Sequence, residues 1–358
     1  MKGLPLKQMK EIIAKLAKAE DLSEEEAVSA MTEIMEGRAT EAQIAAFLMG
    51  LRMKGETVAE ITGCARVMRA KALRIEIDKD AVGLDRDDIN VDRETIVDTC
   101  GTGGDGTNTF NISTATAFVV AGGGYLVAKH GNRSVSSRCG SADVVRCLGV
   151  NIDITPEKVR ESLHKVGIGF LFAPLYHSAM KFALPVRVQM GIRTIFNLLG
   201  PLTNPAGANV QVLGVYEADL TEKIANVLAN LGSRSALVVC GEGILDEISI
   251  VGKTNISQLK EGEVTNYPVQ PEDFGLPRAD LDDIRGGTAE DNAEIILAVM
   301  KGKKGAPANV VLMNSAAAFL AAGKVKNWKE GVGYAEEVID SGKALDKLQA
   351  LIDFTNRQ

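Results

Sequence analysis

The chain has 358 residues, of which 46% are hydrophobic and 24% charged, with a formal net charge of −7. This length provides for about two domains and a large core, and an acidic balance with no basic block excludes a protein built to lie on nucleic acid or an anionic membrane. No apolar run reaches the ~20 residues of a membrane span, and the first residues carry no signal-peptide core. The five cysteines (Cys64, Cys100, Cys139, Cys147 and Cys240) form no C-x-x-C pair, which reads as reduced thiols in a cytoplasm.

The first 70 or so residues read as helices. Ser23 with Glu26, Thr40 with Gln43 and Thr57 with Glu60 fit capping boxes, and Gly55 marks a helix end. Met9, Ile12, Ile13 and Leu16 form one apolar stripe, and Ile44, Phe47, Leu48 and Leu51 another. Several stripes in so small a unit predict a face left over for a partner. Residues 78–94 form a long acidic link, expected to be a solvated loop that is dispensable for chemistry.

From Ile96 the period changes. Strand-like runs follow at 125–128, 210–215, 236–240 and 309–312, with helical stretches at 115–121, 141–148, 221–231 and 289–300. Residues 157–166 and 178–182 also read as helical. Strands alternating with helices predict an α/β fold, with a mostly parallel central sheet covered by helices. A small all-helical domain precedes it.

Three polar segments interrupt this pattern. Residues 98–114 run from a strand through Gly101, Gly103, Gly104 and Gly106 into a helix, with Asp105 and several hydroxyls between. Glycines let the backbone approach an anion, and a helix start offers unpaired N–H groups. The spacing is neither G-x-G-x-x-G nor a Walker loop, so it predicts a phosphate cradle of another kind. Residues 129–137 (KHGNRSVSS) gather two cations, an imidazole, an amide and three hydroxyls after the next strand, where α/β sheets bind ligands. Residues 191–205 (GIRTIFNLLGPLTNP) complete the set.

In this order the three segments closely resemble those of the anthranilate phosphoribosyltransferases of tryptophan biosynthesis, and the likeness covers nearly the whole chain. It implies a helical domain at 1–74 with a returning segment at about 156–185, and an α/β phosphoribosyl-binding domain at 75–155 and 186–358. It implies transfer of the phosphoribosyl group of phosphoribosyl pyrophosphate to the amino group of anthranilate, with Mg²⁺ (two ions with the donor), in a cytoplasmic homodimer joined through the helical domain. The small-molecule substrates are the expected partners, with no nucleic acid and no membrane. Alternatives are a pyrimidine-nucleoside phosphorylase and a nucleic-acid-binding relative that has lost the reaction.

By the same resemblance, the donor contacts are Gly101, Gly104, Asp105, Thr109, Asn111, Ile112, Ser113, Thr114, Lys129, His130, Gly131, Asn132, Arg133, Ser134, Val135, Ser136, Ser137 and Ser141. The acceptor contacts are Gly101, His130, Asn132 and Arg187. Ser113, Asp246 and Glu247 are the metal ligands. No acid–base residue is expected, since an aromatic amine is already neutral at pH 7; transition-state support is assigned to Lys129 and Asp105. Asn111 also fits a helix cap, and Arg193, whose place in the motif implies a structural ion pair, competes with Arg187. His177 is a further candidate for the acceptor channel, while Cys139 and Cys100 read as small packing residues.

Overall fold

The computed structural model describes residues 6–77, 95–133 and 139–357. The N-terminal bundle consists of α1 (Leu6–Leu16), α2 (Glu24–Met35), α3 (Glu41–Lys54) and α4 (Val58–Lys71). All three expected capping boxes form: the N–H groups of Ser23, Thr40 and Thr57 donate to Glu26, Gln43 and Glu60 at 2.9, 3.0 and 2.8 Å. Gly55 ends α3 at φ 86°. Glu60 is fully buried and also accepts from Leu22 N–H and Lys54 Nζ, tying three segments together.

The α/β part follows in chain order. It comprises β1 (Ile96–Gly101), α5 (Ile112–Gly122), β2 (Leu126–Gly131), α6 (Ser141–Cys147), α7 (Pro156–Val166) and β3 (Ile168–Phe172). Next come α8 (Ala173–Tyr176), a 3-10 turn (Ser178–Phe182), α9 (Leu184–Met190), α10 (Ile195–Leu199), β4 (Val210–Gly214), α11 (Leu220–Asn230) and β5 (Ser235–Gly241). The chain ends with β6 (Thr254–Lys260), β7 (Glu263–Val269), α12 (Ala289–Met300), α13 (Ala306–Ala321), α14 (Trp328–Asp340) and α15 (Lys343–Asn356). Among the described residues seven strands form one sheet, in the order β3-β2-β1-β4-β5-β6-β7. The first five are parallel, and β6 and β7 are each added by antiparallel pairing. Strands β3, β4 and β5 are buried throughout, as a parallel sheet covered on both faces requires. The connections run outward both ways from β1 and β4, so the crevice at their C-terminal ends is the topological switch point.

Three expectations are corrected. Residues 309–312 are not a strand but lie in α13, which is buried on nearly every side and so shows no helical period. Within the stretch read as helical, residues 168–172 form β3, and α7 packs on β2, β3 and α15. Of the returning segment expected at about 156–185, only the end meets the bundle: the 3-10 turn and α9, followed by α10, contact α2, α3 and α4. The Met9, Ile12 and Leu16 stripe is consumed internally, in one core with α3, α10 and α11. The leftover apolar surface lies elsewhere, at Met49 and Met53 of α3 and at Leu184 and Val188 of α9. The acidic link 78–94 lies outside the described residues.

Candidate functional site

The C-terminal ends of β1 and β4 are glycines for a steric reason. The loop after β5 crosses them, and a Cβ on Gly214 would overlap the Asp246 backbone, while one on Gly101 would strike the Asp246 carboxylate. This loop is anchored on both sides. Gly241 and Leu245 exchange backbone bonds at 2.7–2.8 Å, and buried Asn314 of α13 both donates to and accepts from the Ile248 backbone. Asp246 and Glu247 are thereby held over the strand ends.

Two backbone donors meet this acid pair. Asp246 Oδ2 accepts the Gly103 N–H at 2.7 Å, and Glu247 Oε1 accepts the Ser113 N–H in the first turn of α5 at 3.0 Å. The Thr99 hydroxyl holds the same turn through the Ser113 carbonyl at 2.8 Å. The glycine loop winds back through left-handed residues (Gly103, Gly104, Gly106 and Asn108), a geometry that turns successive N–H groups into one concavity. Asp105 stabilises the turn from within, accepting from the Thr107 N–H and hydroxyl at 3.2 and 2.5 Å.

The electrostatics of the acids are unbalanced. Burial first, then the Asp105 charge, pushes Asp246 up to about 7. Burial and Asp246 push Glu247 well above the usual carboxylate range, opposed by Lys129. Lys129 is itself buried, and its charge also acts on Asp98, a carboxylate enclosed beneath the loops. Asp98 accepts from the His130 N–H at 3.3 Å and from Asn204 Nδ2 at 2.8 Å. Asn204 thus gives the third motif its role, pinning Asp98 and the Ala128 carbonyl. Three crowded acids with one lysine fit a divalent cation. They form no ready three-ligand cage among the described residues, so such an ion would complete its shell with water and substrate oxygens.

This is the chemistry of a charged phosphate donor, and the comparisons agree on the family. The sequence matches the description "Glycosyl transferase family, helical bundle domain" over residues 10–72 and "Glycosyl transferase family, a/b domain" over 93–345. It is 55% identical over 348 residues to the anthranilate phosphoribosyltransferase of Geobacter sp. (strain M21), covering 97% of this chain and 99% of that one. The chain belongs to the anthranilate phosphoribosyltransferase family. Its fold is similar to the enzyme of Thermus thermophilus (TM-score 0.87, 41% identity, 97% and 99% coverage). It is also similar to the Saccharomyces cerevisiae anthranilate phosphoribosyltransferase solved in complex with PRPP and Mg (TM-score 0.84, 28% identity, 98% of each chain). Of the readings open to the sequence, this family is the one with an aromatic amine as acceptor.

In the second loop, Gly131 is needed because a Cβ there would meet Ser141 and Phe170. The Asn132 N–H donates to Ser141 Oγ at 3.2 Å, and the Arg133 guanidinium lies over the Phe172 ring at 5.8 Å. Ser134, Val135, Ser136 and Ser137 lie outside the described residues. Ile112 and Thr114 are buried and support the loop from beneath, the Thr114 N–H being taken by the Asn111 carbonyl. Thr109 pairs with Arg285 in an isolated antiparallel bridge. Asn111 occupies the N-cap position of α5, yet its side chain makes no capping bond. Burial pushes the Cys139 thiol up to about 11 and that of Cys100 well above 9, which keeps both protonated.

The rings of His130 and His177 lie 5.2 Å apart, tilted at 58° to one another. Burial brings them down to about 3 and about 4, so both are neutral at pH 7. Neither Nε2 has a hydrogen-bond partner among the described residues, nor does the neighbouring Tyr176 hydroxyl. Arg187 stands on α9 over the Phe196 ring at 5.1 Å, its guanidinium pKa lowered by burial, with no carboxylate in ion-pair reach among the described residues. Among the described residues Arg193 makes no ion pair of the expected kind. It is exposed and stacks on Tyr216 at 4.4 Å. Sequence reasoning missed Asn314 and Asn292, buried amides on helices far from any motif; only a polar residue on an apolar helical face could have flagged them.

Proposed function

We propose that the chain transfers the 5-phosphoribosyl group of phosphoribosyl pyrophosphate to the amino group of anthranilate, releasing pyrophosphate, as a cytoplasmic homodimer using two Mg²⁺ ions. The observation that carries this reading is the convergence of the glycine loop, the amino end of α5 and the Asp246–Glu247 pair at one strand end. In this reading Gly101, Gly104, Asp105, Thr109, Asn111, Ser113, Thr114, Lys129, residues 132–137 and Ser141 hold the donor. The unpaired backbone N–H groups of the glycine loop and the lysine charge take up the negative charge that grows on the leaving pyrophosphate. Asp246, Glu247 and Ser113 would hold Mg²⁺, which when bound screens the pyrophosphate. Arg187 grips the carboxylate of anthranilate, and the neutral His130–His177 pair, with Asn132, lines the ring and amine. An aromatic amine attacks as the free base, so alignment behind C1 is the protein's main task.

The apolar residues Met49, Met53, Leu184 and Val188, on two helices in contact, are the proposed dimer face. The test is a coupled assay for phosphoribosyl-anthranilate, with and without Mg²⁺. Metal-dependent product is expected; turnover of a pyrimidine nucleoside with phosphate in its place would overturn the reading.

A further inference from the structure

The glycine loop is held from outside by a segment that belongs to none of the three motifs. A 3-10 turn (Leu281–Ile284) and residues 285–288 run beside it. The Phe110 N–H donates to the Ile284 carbonyl at 3.1 Å, and the Gly286 N–H donates to the Asn108 carbonyl at 2.8 Å. Gly286 permits this approach, since a Cβ there would stand 2.8 Å from the Phe110 backbone and 2.6 Å from Asn292 Oδ1.

The segment leads to Asn292, in the first turn of α12 and 2% exposed. Its Oδ1 accepts the Gly287 N–H at 2.8 Å, and its Nδ2 donates to Asn111 Oδ1 at 2.9 Å. A backbone N–H can only donate, so Gly287 fixes which end of the Asn292 amide is oxygen. That choice sends Nδ2 to Asn111 and in turn fixes the Asn111 amide, oxygen toward Asn292 and Nδ2 toward the Cys139 carbonyl at 3.5 Å. Two linked amides, Asn292 and Asn111, therefore join α12, the glycine loop and the end of the second loop.

We propose that Asn292 is a positioning residue for the phosphoribosyl donor, acting through the orientation it imposes on Asn111. This rests on the reading that Asn111 contacts the donor.

The test is steady-state kinetics, each substrate varied in turn, on Asn292→Ala, Asn292→Asp, Asn111→Ala and the two double variants. Asn292→Asp keeps the acceptor for Gly287 and the side chain's volume if the alanine variant folds poorly; the charge it adds acts in both Asn111 backgrounds, whereas the lost donor bond acts only when Asn111 is present. Both Asn292 variants should raise the donor KM about tenfold, the worth of one buried hydrogen bond, and leave the anthranilate KM within about twofold. In the Asn111→Ala background the same changes should move the donor KM by less than about twofold, because the path has already been cut. Equal effects in both backgrounds, or an Asn292→Asp enzyme with an unchanged donor KM, would reduce Asn292 to a packing residue while leaving the donor assignment intact. An unchanged donor KM in Asn111→Ala would instead remove Asn111 from the donor site, and the proposal with it.

Discussion

Glu247 Oε1 accepts the Ser113 N–H at 3.0 Å, across 134 positions of sequence. A carboxylate that would sit well on the positive end of a helix is nonetheless pushed well above its usual range, because burial and Asp246 outweigh that bond. The acid pair is thus arranged at a cost to stability, as expected of residues kept for binding rather than for the fold.

The charge-removing variants Asp246→Asn and Glu247→Gln should accordingly separate stability from activity. Each should lower activity by about a hundredfold or more at moderate Mg²⁺ while leaving the unliganded protein at least as stable, by up to about 1 kcal/mol, since a crowded buried charge has gone. Thermal unfolding beside Mg²⁺ titration of the rate would decide it. Full activity in either variant would take that residue out of the site.

Gly214 offers a purely steric test. A Cβ there would overlap the Asp246 backbone, which cannot swing away as a side chain can, whereas on Gly101 it would meet only the Asp246 carboxylate. Gly214→Ala should therefore destabilise by about 3 kcal/mol or displace the acid loop, and Gly101→Ala by less. Denaturant melts of the two variants compared with the parent measure the order; equal stability would show that the loop yields freely.

The sequence made local chemistry legible and long-range meetings illegible. Ser23, Thr40 and Thr57 announced their helices because both partners of a capping box lie within three residues. Residues 309–312 misled because a helix buried on nearly every side loses its period, and Val310, Val311 and Leu312 read as a strand. The hairpin of β6 and β7 turns on Glu261 and Gly262, both left-handed, a weaker signal than Asn-Gly. In the site, the loops themselves were readable from glycine and hydroxyl content. What pins them was not: Asn204, Asn292 and Asn314 act on residues 66 to 181 positions away, and a single amide has no local signature.

The apposed histidines make stability depend on pH. Their folded pKa values, about 3 for His130 and about 4 for His177, lie below the ordinary 6.5, so the unfolded chain takes up protons that the folded chain refuses. Their contribution is complete above about pH 6.5 and is lost as pH falls toward those folded values, by up to about 1.4 kcal/mol per pH unit for each ring. His177→Asn should flatten the loss of stability between about pH 6.5 and 4.5, as read from urea unfolding at several pH values. An unchanged slope would mean that the ring is solvated and titrates normally.

The dimer face is tested by charge. Met53 is 78% exposed and Val188 is 70% exposed, on helices α3 and α9 that touch one another. Met53→Asp combined with Val188→Asp should leave the fold intact and yield a monomer at micromolar concentration, since a desolvated charge in an apolar interface costs several kcal/mol. Sedimentation of parent and variant decides the point; a parent that is already monomeric removes the dimer from the reading.

Arg187 and Arg193 differ in surroundings more than in sequence. Arg187 is half-buried over Phe196 with its guanidinium pKa depressed by burial, while Arg193 is exposed over Tyr216. A desolvated guanidinium without a carboxylate partner gains most from an incoming anion. Arg187→Ala should therefore raise the anthranilate KM about ten- to a hundredfold, the equivalent of roughly 1.5–3 kcal/mol for a lost charge-assisted contact. The donor KM should stay within a few-fold, and Arg193→Ala should change either constant little. If Arg187 also orients the ring for attack, kcat will fall alongside. An equal loss for both substrates would place Arg187 at the donor, and a larger anthranilate defect in Arg193→Ala would move the carboxylate grip to Arg193.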